Sequence, residues 1–89
     1  MLQARKWHVE IYIDEHEDHT RTQARLTTQD GAVTVGRGQA HRNPRDANVP
    51  EIGDELATAR ALADLSHQLL DAAAQDVAAV THRPAHFAE

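Results

Sequence analysis

The chain has 89 residues and a formal net charge of −5, which makes it one small domain near the size at which a monomer struggles to assemble a sufficient core. Hydrophobic residues make up 40% of it, but 16 of them are alanine, so the core must be thin and a second copy of the chain is a natural way to complete it. The lack of cysteine excludes disulfides, thiolate nucleophiles and Cys-based zinc sites.

The acidic balance argues against simple electrostatic capture of nucleic acid, sequence-specific DNA binding included. That balance is uneven. Residues 1–45 hold seven of the nine basic side chains against six acids, whereas residues 46–89 hold two bases against eight acids. The stretch from Met1 to Trp7 contains no apolar run of secretory length, and nothing approaches a membrane span, so a cytoplasmic protein without a membrane partner is expected.

In chain order, Lys6 to Glu15 alternates Trp7, Val9, Ile11 and Ile13 with His8, Glu10, Tyr12 and Asp14, the period-two signature of a half-buried strand. Glu15 to His19 is too short for a crossover, so Thr20 to Thr28 is expected to return antiparallel, with Thr22, Ala24 and Leu26 on one face and Arg21, Gln23 and Arg25 on the other. After the Asp30-Gly31 turn signal, Val33 to Arg42 reads as a third strand. Its Gly36, Gly38 and Ala40 make sense on one face if another backbone lies close there, so they are assigned to the inner side. The outer side then carries His8, Arg21, Arg25, Arg37 and His41.

Asn43 to Pro50 reads as a loop. A helix follows, starting either with Pro50 at its first position or with Asp54 as N-cap. At 100° per residue, Ile52, Leu56, Ala59, Leu62, Ala63, Leu69, Leu70, Ala73, Val77 and Val80 gather in one arc opposite Arg60, Asp64, Gln68, Asp71 and Gln75. Leu65, flanked by Ala61 and Ala72, forms a second, weaker apolar edge. A helix running to residue 81 would outreach the strands, so it either breaks near Ala73 to Gln75 into a short second helix or overhangs and needs a partner. The expected fold is α+β: a three-stranded antiparallel sheet packed by a C-terminal amphipathic helix, in one domain over residues 1–89.

No catalytic residue emerges. Ser66 is the only serine and falls mid-helix, and Gly36-Arg37-Gly38 lacks the third glycine and following helix of a phosphate loop. The hairpin connection Asp14 to His19 holds six metal-capable side chains, with His16 and His19 as weak ligand candidates, but a solvated polar turn accounts for it, and no metal or other cofactor is expected. Arg21, Arg25, Arg37 and His41 are the set rated highest as a partner- or RNA-facing surface. Arg21 and Arg25 lie four apart on one strand, and Arg37 can sit across from them. Glu10 and Asp14 on the first strand are their available neutralisers.

Several stretches resemble a family of small actinobacterial proteins of unknown function with a fold like that of double-stranded-RNA-binding domains, a group that includes a mycobacterial dormancy and hypoxia-induced protein. The resemblance is carried by Ile13 to Glu17, Thr20-Arg21, Ala24-Arg25-Leu26, Gly36, Gly38 and Ala40, Asn43-Pro44, Asp46, the block Asn48 to Leu56, Ala59 to Leu62, Asp64-Leu65, Ala79 to His82, and Pro84-Ala85. It implies a β-β-β-α domain that dimerises, and a dimer likened to the ribosome hibernation factors that stall translation in the small-subunit channel. The chain departs from the pattern at Arg37 and Gln39, where relatives tend to be apolar, and in its net acidity. The expectation is thus a non-enzymatic, stress- or dormancy-associated homodimer that modulates the ribosome or binds RNA, with a module binding an acidic protein through the sheet face as the alternative.

Overall fold

In the computed structural model, which describes residues 3–87, the chain forms strands β1 (His8–His16), β2 (His19–Thr27) and β3 (Val33–His41) and one helix, α1 (Pro50–Thr81). Residues 1, 2, 88 and 89, counted within the expected domain, lie outside the described residues. The sheet is antiparallel in the order β1-β2-β3, so both connections are hairpins, as their brevity requires. Glu17 and Asp18 make the first turn, with Glu17 at φ 54°. At the second turn Gly31 takes φ 91°, and the Thr28 and Gly31 amides bond the carbonyls of Ala32 and Thr28 at 2.9 and 3.1 Å. The positive φ is the reason the Asp-Gly signal marks a turn here.

Alternation holds along β2: Thr20, Thr22, Ala24 and Leu26 are buried, while His19, Arg21, Gln23 and Arg25 are exposed. On β3 the inward residues include Gly36, Gly38 and Ala40, as expected from their size, with Thr34 half-buried on the same side. A Cβ on Gly36 would stand 2.3 Å from the Ala61 carbonyl oxygen, and one on Gly38 would stand 2.3 Å from both the Ala57 oxygen and the Ala61 nitrogen. Helix backbone thus rests directly on strand backbone.

That close approach selects the helix face. Alanines let the helix backbone come down onto the glycines, so α1 turns Ala57 and Ala61 to the sheet with Leu65 following on the same face, and these are its buried residues. The periodicity favours a different side. The stronger apolar arc points roughly 150° away, and Ile52, Leu56, Leu62, Leu69, Val77 and Val80 are exposed, Val80 at 80%. The weaker edge at Leu65, flanked by Ala61, is the one that packs.

The helix also sits off-centre. It covers β3 and β2 and scarcely touches β1, leaving inward-facing Val9, Ile11 and Ile13 open at 45%, 38% and 46%. The buried core is correspondingly thin: Ala24, Leu26, Ala40, Ala57, Ala61 and Leu65, together with Thr20 and Thr22. The Thr22 hydroxyl is buried without a partner.

The helix begins at Pro50, with Val49 at the N-cap position and no side-chain cap, and ends at His82 in the left-handed region, its amide bonding the Ala78 carbonyl at 2.7 Å. No break occurs at Ala73 to Gln75, and there is no second helix among the described residues. The alanines there favour the helix, and neither Gly nor Pro interrupts it. Its 32 residues span roughly 48 Å, so the C-terminal turns overhang strands of nine residues.

Candidate functional site

The strand registers arrange the outer face of the sheet in rows. Asp14 lies opposite Arg21, which lies opposite Gln39; Glu10, Arg25 and Val35 form another row, and Tyr12, Gln23 and Arg37 a third. At the end beside the first turn, His16, His19 and His41 line up across all three strands. No helix covers this face. Arg21, Arg25, Arg37 and His41 therefore stand exposed on one surface, as their alternation predicts.

The charges on that surface are interleaved rather than uniformly basic. Directly opposite positions bring side chains close enough to interact, so Asp14 and Glu10 temper Arg21 and Arg25. The Tyr12 hydroxyl donates to Glu10 Oε2 at 2.5 Å. That bond and the Glu10 charge raise the Tyr12 phenol above its ordinary range, with Arg25 opposing in part. Arg37 has only the amide of Gln23 directly across from it.

His16 and His19, far from being diffuse members of a polar loop, are direct cross-strand neighbours. The His19 and His41 rings meet edge to face with centroids 4.4 Å apart. Among the described residues no three His, Asp or Glu side chains are already gathered about one point as metal ligands.

At the same end, Arg42 fastens the loop before the helix to the first turn. Its amide donates to the Asp18 carbonyl at 2.8 Å, its Nη2 pairs with Asp18 Oδ1 at 2.5 Å, and its Nη1 donates to the Asp46 carbonyl at 2.7 Å. The loop walls a cleft of about 510 Å³ lined by Glu15, Thr20, His41, Val49 and Leu56 among others. Beside it, the Asp54 carboxylate holds the Glu15 carboxyl above the usual carboxylate range, by a hydrogen bond first and then by charge, with burial and Glu51 adding to the effect.

The two edges of the sheet differ. Over β3, Asp64 Oδ2 accepts the Arg37 amide at 2.8 Å, Gln68 Nε2 donates to the Val35 carbonyl at 2.7 Å, and Arg60 Nη1 donates to the Gln39 carbonyl at 2.8 Å. The helix thereby satisfies backbone groups an edge strand would otherwise present to water or to another strand. In the sequence these three side chains fall on the polar arc away from the apolar stripe, and their spacing of four signals that they share a face. No such cap lies along β1 among the described residues. Because the Arg37 groups point outward, alternation across Gln23 and Tyr12 leaves the backbone groups of Val9, Ile11, Ile13 and Glu15 on the free edge.

Residues 5–86 match the model of the Rv2632c-like family. The chain belongs to the Rv2632c-like family. It is 54% identical over 81 residues to the uncharacterized protein MT1780 of Mycobacterium tuberculosis (strain CDC 1551 / Oshkosh), an alignment covering 91% of this chain and 85% of that protein. To the uncharacterized protein Rv2632c of Mycobacterium tuberculosis (strain ATCC 25618 / H37Rv) it is 46% identical over 76 residues, covering 85% and 81%. The crystal structure of Rv2632c superposes with a TM-score of 0.83 at 42% identity, over 93% of this chain and 98% of that one. The expected kinship with small mycobacterial proteins of unknown function is thereby met. No helix among the described residues is long and apolar enough to cross a membrane.

Proposed function

We propose that this member of the Rv2632c-like family is a non-enzymatic, cytoplasmic homodimer of the stress or dormancy response, with a domain of the double-stranded-RNA-binding type, that modulates translation by docking on ribosomal RNA. The observation that carries the reading is the division of labour between the two sides of the sheet. The helix takes one side, and the uncovered side presents Arg21, Arg25, Arg37 and His41 together. Arginine on a flat, open sheet suits phosphate through its planar fork.

Dimerisation is supported by surface accounting. The chain exposes 7222 Å², whereas a compact monomer of its mass exposes roughly 5,200 Å². Its radius of gyration of 16.8 Å compares with about 12 Å for a compact domain of this length. The excess area, roughly 2,000 Å², is on the scale of a whole standard interface. Exposed apolar side chains that a partner could cover stand at Val9, Ile11 and Ile13 and along the outward arc of α1, beside the free edge of β1.

Pairing two β1 strands antiparallel about Ile11 would set Ile11 on Ile11, Val9 on Ile13, Glu10 on Tyr12 and His8 on Asp14. Centring on Tyr12 instead would oppose Glu10 to Asp14, an unfavourable pairing of like charges.

The second reading is a module that binds a protein through the same face. Glu10 and Asp14, opposite Arg25 and Arg21, favour it, since interleaved charge suits a mixed protein surface better than a line of phosphates. Co-sedimentation with ribosomes at low and physiological salt separates the two, with Arg21→Glu/Arg25→Glu as control. Binding that persists at physiological salt and is lost in the variant supports the ribosomal reading. Failure to sediment at either salt refutes it and leaves the protein partner. A light-scattering mass near 9.9 kDa at micromolar concentration would refute the dimer.

A further inference from the structure

We propose that the row His16–His19–His41 is a binding site for one divalent transition-metal ion of the imidazole-preferring kind, zinc, nickel or copper(II). The sequence separates these residues by up to 25 positions; the fold puts them side by side. His16 is the direct partner of His19, and His19 of His41, so three imidazoles stand on one face across three adjacent strands. All three are exposed, and no helix lies over that face.

Neighbouring strands are about 4.8 Å apart, which places the outer two backbones about 10 Å from each other with His19 midway. Side chains leaning inward from both flanks can bring ring nitrogens to the roughly 2.0–2.1 Å that zinc requires. His19 and His41 are already in ring contact at 4.4 Å, edge to face.

Binding opens that contact and swings His16 toward it. The three rings are not gathered in the unliganded arrangement, and exposed rotamers reorient without disturbing the core. The site would be three imidazoles with the remaining positions taken by water, a ligand type that selects zinc, copper or nickel over magnesium or calcium. Asp18 is engaged by Arg42 and is not needed as a ligand.

The test is titration of untagged protein, free of RNA, with zinc chloride and nickel chloride by calorimetry. A parallel NMR titration follows the side-chain signals of all seven histidines. One equivalent is expected to bind saturably, shifting the signals of His16, His19 and His41 and not those of His8, His82 and His86. His19→Ala and His41→Ala should each weaken uptake by about tenfold or more, at least the cost of losing an outer-shell partner of a metal ligand. The triple variant His8→Ala/His82→Ala/His86→Ala should bind like the parent.

The proposal is overturned by any of three results: no saturable uptake up to about 100 μM metal, a concentration at which sites worth about 5 kcal/mol fill; uptake unchanged in His19→Ala/His41→Ala; or metal-dependent shifts spread over all seven histidines. The NMR arm needs no variant, so a misfolded substitution cannot obscure the outcome. The site also stands or falls independently of RNA binding.

Discussion

Substituting Gly38 by alanine tests whether backbone contact between helix and sheet holds the fold together. The added Cβ meets the Ala57 oxygen and the Ala61 nitrogen at 2.3 Å and the Arg60 carbonyl carbon at 2.8 Å. All three are backbone atoms and none can rotate away. Restoring ordinary contact requires α1 to retreat by about 1 Å, a gap that forfeits up to about half of the dispersion attraction across it. The same retreat stretches the bonds from Asp64, Gln68 and Arg60 to the β3 backbone, now 2.7–2.8 Å long, each contributing about 1 kcal/mol.

Overpacking of this kind costs about 1–3 kcal/mol on its own, and the alanine regains about 0.4–1 kcal/mol by restricting the unfolded chain. The net loss is about 2–4 kcal/mol, a large fraction of the stability of so small a domain. Urea denaturation followed by circular dichroism, at fixed protein concentration because association would add to the apparent stability, measures it. Gly31→Ala is the control. It meets nothing within 4 Å but carries φ 91°, so its cost is backbone strain of about 1–2 kcal/mol. A Gly38→Ala protein within about 0.5 kcal/mol of the parent, the range of a neutral surface change, would refute the reasoning.

Three further outcomes are expected. Thr22→Val removes a buried hydroxyl that has no partner while keeping its shape, and should raise stability by about 1 kcal/mol in the same urea assay; a loss would show that the hydroxyl is bonded in solution. Glu15 titrates above its ordinary value in the fold, so its contribution favours the folded state at acid pH and is lost as pH rises through the folded value. Glu15→Gln should therefore stabilise at neutral pH, with the advantage over the parent shrinking as pH falls; a gap that does not change with pH would contradict the Asp54 contact. Asp64→Ala should cost about 1 kcal/mol and speed hydrogen exchange at the Arg37 amide specifically, so uniform exchange along β3 would argue against the cap.

The strands were legible because the outer and inner residues of a two-layer fold differ in kind: Thr22, Ala24 and Leu26 alternate with Arg21, Gln23 and Arg25, and burial follows that alternation. Gly36 and Gly38 were legible for a different reason, since nothing but a close backbone accounts for two glycines on one strand face. The helix orientation was not. Hydrophobic periodicity reports where apolar bulk is, whereas close approach of the helix to Gly36 and Gly38 favours the face that carries Ala57 and Ala61, with Leu65 beside them, over the one that carries Leu62 and Leu69. The histidine row was hidden as well. His16 and His19 are neighbours in the chain, but His41 joins them only through the register of β2 with β3, which no spacing in the sequence encodes. The interleaving of Glu10 and Asp14 with the arginines was foreseen in kind but needed the same registers to be placed.

The caps on β3 have a consequence for how far assembly can run. Two chains joined through their β1 edges about a two-fold axis would form a six-stranded sheet whose outermost strands are both β3, each already occupied by its own helix through Arg60, Asp64 and Gln68. Such a sheet would present outer edges already engaged at Val35, Arg37 and Gln39 by helix side chains, so association through β1 would stop at two rather than propagate strand by strand. A small acidic chain with a bare, β-branched edge strand would otherwise be poised to polymerise. Three side chains on one helix would act as a terminator for that polymerisation.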